Sequence, residues 1–267
     1  MTRIPMPSGA PKRIVLKFGT GVLTHSIGHL EEGRIRQLCA YIRNWRDDGY
    51  QVILVSSGAV GLGMGVLGLE QRPQDMPSLQ ACAAIGQSDL VDVWKREMGY
   101  SGMKIAQVLL TRDDLDNGTR HKGVQDTLEK LLSCNIVPVI NENDTVCPEE
   151  IKFGDNDVLS ALVAVLVGAE KLLILSTVEG LKTDQGNGEL VEEVPEITPQ
   201  IEALAGGTCS LTAVGGMISK IQAAKVAVEA GCGVVIMDGR DPVNLEMLRC
   251  GKSAGTFFHP IEATVLA

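Results

Sequence analysis

Short, nearly continuous apolar runs recur along the chain, separated by longer segments of helical period. The runs occupy residues 14–18, 52–55, 105–109, 136–140, 172–175 and 234–237. None alternates apolar with polar, so each suits a strand buried on both faces, as in a parallel sheet. Helical periodicity fills 31–48, 78–98, 119–133, 155–167, 216–230 and 242–249. Strand–helix alternation of this kind predicts βαβ units and a doubly wound α/β fold, a three-layer αβα sandwich around a mainly parallel central sheet. The stretch 178–194 lacks helical period and contains Asp184-Gln185-Gly186-Asn187-Gly188, which is turn chemistry, so a small hairpin is expected there. A further strand is expected at the "GTFF" stretch near the C-terminus.

Polar residues gather where the apolar runs stop. Lys17-Phe18-Gly19-Thr20-Gly21 ends the first, Ser56-Ser57-Gly58 with Gly61 and Gly63 follows the second, and Asn141-Glu142-Asn143-Asp144 follows the fourth. Asp155-Asn156-Asp157 opens one Ala-rich helix, and Gly215-Gly216-Met217-Ile218-Ser219-Lys220 opens another. Ligands of open α/β sheets bind outside the carboxyl ends of the strands. Each feature also has a plain reading: a snorkelling edge lysine at Lys17, a close strand–helix turn at Gly58–Gly63, a solvated lysine at Lys220, and an N-cap aspartate at 155–157. The glycines match neither GxxxxGK[ST] nor GxGxxG. Together, two lysines, glycine turns and a carboxylate cluster at strand ends fit phosphoryl transfer, which needs charge neutralisation on the transferring oxygens.

Composition narrows the field. The 267 residues are 45% hydrophobic, enough for a sizeable core, and the formal charge is −9. That acidity speaks against nucleic acid or an anionic membrane as partner, while a few local lysines can still receive a small anion. No segment reads as a membrane span, which needs about 20 apolar residues. Residues 1–11 are Pro-rich without an apolar core, so 1–12 is expected to be a flexible segment. Seven cysteines without CxxC spacing read as reduced thiols of a cytoplasmic protein, and four histidines without HExxH spacing suggest no zinc site.

The motifs "KFGTGVLT", "VSSGAVGLG", "AAIGQSDL", "QVLLTRDDL", "VPVINENDTV", "IKFGDNDVLSALVA" and "GGMISKIQAA" resemble the amino acid kinase family over nearly the whole chain. The pair "INEND" and "GDND" is most similar to the branch acting on free L-glutamate. The resemblance implies the amino acid kinase fold over 13–267 as a single domain, without the C-terminal PUA domain that many members carry. It implies ATP- and Mg²⁺-dependent phosphorylation of the γ-carboxylate of L-glutamate, the first step of proline synthesis. Lys17, Lys220 and Asp157 would be catalytic, with Asp157 holding the lysines. Ser57, Asp144, Asn156, Asn141 and Asp155 would bind glutamate. Lys17, Ser176, Thr177, Val214, Gly215, Gly216, Met217, Ile218, Ser219 and Lys220 would face the nucleotide. Implied partners are L-glutamate and ATP, proline as an inhibitor, further copies of the chain in a dimer or tetramer, and a glutamyl phosphate reductase. Asp114, within the charged loop-like segment 111–120, is the residue expected to tune a response to proline.

Two departures fall on the nucleotide side. Ser176-Thr177 stands where the family usually has Thr-Asp, and Ala213-Val214 where it has Gly-Thr. The alternatives are another kinase of the fold, such as one acting on N-acetylglutamate, or a catalytically silent ligand-binding regulator.

Overall fold

The computed structural model describes residues 11–116, 118–146, 156–207 and 216–261. The chain begins with β1 (Arg13–Phe18), a single turn α1 (Thr20–Leu23) and a small hairpin, β2 (Thr24–Ser26) and β3 (His29–Leu30). Next come α2 (Glu32–Asp47), β4 (Gln51–Ser56), α3 (Ala59–Val66), α4 (Met76–Tyr100) and β5 (Ile105–Leu110). They are followed by α5 (Arg112–Asp116), α6 (Gly118–Ser133), β6 (Val137–Glu142), α7 (Asn156–Leu166) and β7 (Lys171–Ser176). The last described elements are β8 (Glu193–Val194), α8 (Pro199–Leu204), α9 (Met217–Glu229), β9 (Gly233–Asp238), α10 (Val243–Arg249) and β10 (Thr256–Phe258).

One sheet runs β5-β6-β4-β1-β7-β9-β10-β8. Its pairs are parallel except β9–β10. β1 lies between β4 and β7, and the strand order reverses about it, which opens a crevice at its carboxyl end. Alternation along β1 divides the core. Ile14, Leu16 and Phe18 pack with the α2, α4 and α10 layer, through Ile35, Trp94 and Leu245. Val15 packs on the other face with Ala161 and Ala164 of α7 and Ala224 of α9. Lys17 shares the parity of Val15, so its side chain leaves the sheet toward α7 and α9. At the opposite end of that face Arg13 makes two 2.7 Å bonds to Glu129 and donates to the Val167 carbonyl at 2.6 Å, tying β1 to α6 and the end of α7.

The six apolar runs are all strands, and the six helical segments correspond to α2, α4, α6, α7, α9 and α10. The hairpin expected over 178–194 is reduced to one antiparallel bridge, Lys182 to Leu190, around a turn in which Gln185 adopts φ 53°. Glu193–Val194 instead joins the main sheet beside β10. The loop expected at 111–120 contains α5: the Asp114 carboxylate accepts from the Thr111 backbone N–H and hydroxyl, both at 2.8 Å, and closes the first turn. Helix α8 was not expected either, although Thr198-Pro199 is a helix-start signature, and Thr198 Oγ1 accepts from Ile201 N at 3.4 Å.

Candidate active site

Three elements bring charged side chains to the crevice beside β1. Lys17 arrives from the strand, Asp157 from the first turn of α7, and Lys220 from the first turn of α9. Asp157 has no exposed surface, and Lys17 and Lys220 are 4% and 3% exposed. The Lys17 ammonium contacts Oδ1 of Asp157, and the Lys220 ammonium lies 3.0 Å from Oδ2. The Ser219 hydroxyl sits 2.8 Å from the Gly216 carbonyl and 3.2 Å from the same Oδ2. A lysine in the first turn of a helix opposes the macrodipole. Here Asp157 compensates it, and the small-residue packing of α7 on α9 holds the two helix starts together. Two ammonium groups and two helix N-termini converge here inside an acidic chain, the kind of donors a phosphoryl group requires.

Amides dominate the adjoining side. Asn156 Nδ2 lies 2.7 Å from Asn141 Oδ1 and 3.1 Å from both the Ser56 carbonyl and Ser57 Oγ. Asn141 Oδ1 also accepts from the Glu142 backbone N–H at 2.9 Å, and Asn141 Nδ2 donates to Gln87 Oε1 at 2.7 Å. Ser57 is placed by the turn after β4, where Gly58 adopts φ 115°, a left-handed conformation that favours glycine. The later glycine of that motif has another task. A Cβ on Gly63 would stand 1.9 Å from the Cys82 carbonyl oxygen, so Gly63 permits the close packing of α3 on α4. Beyond the amides a cleft of about 450 Å³ opens between α4, β5 and the turn after β6, lined among others by Gln87, Asp92, Gln107, Glu142 and Asp144.

The structure therefore gathers Lys17, Asp157 and Lys220 into one cluster and Ser57, Asn141 and Asn156 into another, joined through the consecutive residues Asn156 and Asp157. Asp144 lines the adjoining cleft together with Gln87. Ser176 ends β7 and the exposed Thr177 follows it, where a Cβ on Gly21 would meet the Thr177 methyl at 2.7 Å. Met217 is buried and Ile218 half-exposed at the start of α9. Gly216 is extended, at φ −67° and ψ −179°. Asp155, Val214 and Gly215 lie outside the described residues. Asp114 caps α5 as described, with Arg120 3.4 Å away.

Sequence reasoning did not single out Gln87 or Asp238. Gln87 sits inside a helix, and only its place in "AAIGQSDL" marked it. Asp238 ends β9 next to Ser176. Burial pushes its carboxyl up, but hydrogen bonds and charge from Arg240, with Arg34 beyond, hold it below the ordinary range. Among the described residues no group of three or more His, Cys, Asp or Glu side chains could hold a metal ion. Both Asp157 oxygens face lysines, so the described residues offer no protein cage for magnesium, and an ion accompanying a nucleotide would rest chiefly on phosphate oxygens.

Residues 12–238 match the amino acid kinase family. The chain is 46% identical over 255 residues to the glutamate 5-kinase of Moorella thermoacetica, covering 94% of this chain and 68% of that protein. It is 42% identical to the glutamate 5-kinase of Listeria welshimeri, covering 92% of each. Among solved structures it resembles the carbamate kinase of Giardia lamblia at 16% identity, with a TM-score of 0.65 over 95% of this chain and 99% of that one. It also resembles N-acetylglutamate synthase of Neisseria gonorrhoeae at 17% identity, with a TM-score of 0.67 over 93% of this chain and 59% of that one. At such identities the likeness is one of fold.

Proposed function

The chain belongs to the amino acid kinase family, and from that premise we propose that it transfers the γ-phosphoryl group of ATP to the γ-carboxylate of L-glutamate, giving L-glutamyl 5-phosphate and ADP. The observation that carries this reading is the buried Lys17–Asp157–Lys220 cluster set directly against the Asn141–Asn156 amides. The similarity to glutamate 5-kinases supports the choice of acceptor.

The chemistry needs no general base. A γ-carboxylate is already ionised at neutral pH, because its ordinary pKa is about 4.3. One of its oxygens forms a bond to the γ-phosphorus while the bond to the ADP oxygen breaks. Negative charge spreads over the equatorial phosphoryl oxygens and the leaving group. Lys17 and Lys220 lie on opposite oxygens of Asp157 and so are spaced to meet two sides of that charge. Asp157 positions them and takes no proton. Magnesium would enter with ATP and neutralise its phosphates. On the amide side, Ser57, Asn141 and Asn156, with Asp155, would hold the amino acid, while Asp144 in the cleft would meet its ammonium. The ends of β7 and α9, with Ser176, Thr177, Val214, Gly215, Gly216, Met217 and Ile218, would receive the nucleotide.

This reading places the chain at the first step of proline synthesis, as a cytoplasmic homo-oligomer that is inhibited by proline and hands its labile product to a glutamyl phosphate reductase. A coupled ADP-release assay tests it. Turnover dependent on L-glutamate, and weak with N-acetyl-L-glutamate, is expected. Equal turnover with the acetylated substrate would transfer the assignment to another member of the fold, and none with either would overturn kinase activity on these acceptors.

A further inference from the structure

The amide chain has a polarity that the backbone dictates. The Glu142 N–H can only donate, so the atom of Asn141 facing it at 2.9 Å must be the oxygen. Its amide nitrogen must then face Gln87 at 2.7 Å, and the Gln87 atom receiving it must be Oε1. The far end is fixed in the same way. The Ser56 carbonyl can only accept, so the Asn156 atom 3.1 Å from it is Nδ2, which also points at Asn141 Oδ1. Every amide in the row is thus oriented without reference to a ligand. The Gln87 oxygen is committed inward, and its NH₂ group, which has no partner among the described residues, is the end left over. Gln87 is half-buried and lines the 450 Å³ cleft, as does Asp144.

We propose that Gln87 is a substrate-binding residue whose Nε2 donates to the α-carboxylate of the amino acid in that cleft. The inference rests on the glutamate-kinase reading and deepens it. The cleft is acidic, with Asp92, Glu142 and Asp144 on its walls, and would repel a dicarboxylate unless a donor met the substrate's anionic end. A neutral amide held rigidly by Asn141 supplies that donor without attracting other anions. With Asp144 taking the ammonium and Gln87 the carboxylate on the same carbon, the cleft would read a zwitterion and orient the γ-carboxylate away toward Lys17 and Lys220.

Steady-state kinetics of wild type, Gln87→Leu and Gln87→Glu distinguish this role from a merely structural one. Glutamate retains an acceptor for Asn141 but loses the donor, whereas leucine loses both. The proposal expects both variants to raise the KM for L-glutamate, about 10–100-fold, the range for losing a hydrogen bond to a charged group, with the KM for ATP unmoved. Recovery of the wild-type KM in Gln87→Glu would assign Gln87 to support of Asn141 alone and overturn the proposal. An unchanged KM in both would do the same. Because Gln87→Glu also adds a negative charge, KM is compared for L-glutamate and its α-amide: an equal rise for both in Gln87→Leu, or in Gln87→Met if the leucine variant does not fold, would overturn the proposal. Failure of the wild type to turn over glutamate would refute the functional reading, whereas turnover with insensitive variants refutes only the role of Gln87.

Discussion

The Lys220 ammonium rests 3.0 Å from Oδ2 of Asp157, with both side chains removed from solvent. One lysine on one aspartate would be a neutral structural pair. A second lysine, Lys17, contacts the other oxygen of the same carboxylate, so two ammonium groups share one aspartate. Two ammonium groups gathered where two helices begin are suited to meet an anion. Replacing Lys17 or Lys220 by alanine is expected to lower kcat by roughly 10²–10³, as for removal of one electrostatic donor from a transition state. Initial rates at saturating substrates measure it, and a variant retaining wild-type kcat would contradict the role of that lysine.

Asp157→Asn should leave two buried ammonium groups facing a neutral amide. Removing one partner of a buried ionic group costs about 3–5 kcal/mol, so the expected outcome is a lower Tm together with a lower kcat. An anion can replace the missing charge, so inorganic phosphate should raise the Tm of Asp157→Asn more than that of the wild type. Thermal denaturation with and without phosphate checks this, and equal shifts would argue against the cluster as an anion receptor.

The amide and cleft residues are expected to behave differently. Asp144→Ala and Asn156→Ala should raise the KM for glutamate far more than that for ATP, because Asn156 belongs to the amide cluster and Asp144 lines the cleft beside it. A full matrix of the two substrates separates the effects, and a change confined to ATP would reverse the map.

The fold was legible because most of its strands are apolar on both faces, the pattern favoured in a parallel sheet between two helical layers. Lys17, Lys220 and Asp157 were legible for a related reason, since each is a charge at an element end that a plain core or cap leaves unexplained. The elements that escaped are short. β2 and β3 together hold too few residues to show a period, and α5 depends on the reciprocal bonding of Thr111 with Asp114, which composition disguises as loop. Gln87 escaped because a glutamine within a helix normally faces water. Only the approach of α4, allowed where a Cβ on Gly86 would lie 2.0 Å from the Ala59 carbonyl oxygen, turns it toward Asn141.

Glu97 illustrates a charge that serves the scaffold. It has no exposed surface and bonds Arg36 at 2.8 Å and Arg96 at 3.1 Å, joining α2 to α4. Burial pushes its carboxyl up, but the hydrogen bonds and charges of the two arginines outweigh burial and hold it below the ordinary range. A depressed folded-state pKa contributes stability at pH values above the unfolded value, about 4.3, and loses it as pH falls through the folded value. Glu97→Gln should therefore lower the Tm at pH 7, and the gap to wild type should close on acidification below pH about 4. A constant gap across that range would show that the loss is one of packing.

Product trapping with hydroxylamine decides whether the anion receptor and the amide row form one site that phosphorylates a carboxylate. An acyl phosphate reacts with hydroxylamine to give a hydroxamate, whereas a phosphate ester or free phosphate does not. With ATP, magnesium and L-glutamate, the wild type is expected to form γ-glutamyl hydroxamate in step with ADP, and Lys220→Ala to lose both together. ADP release without hydroxamate, or hydroxamate formed equally well by Lys220→Ala, would contradict the account.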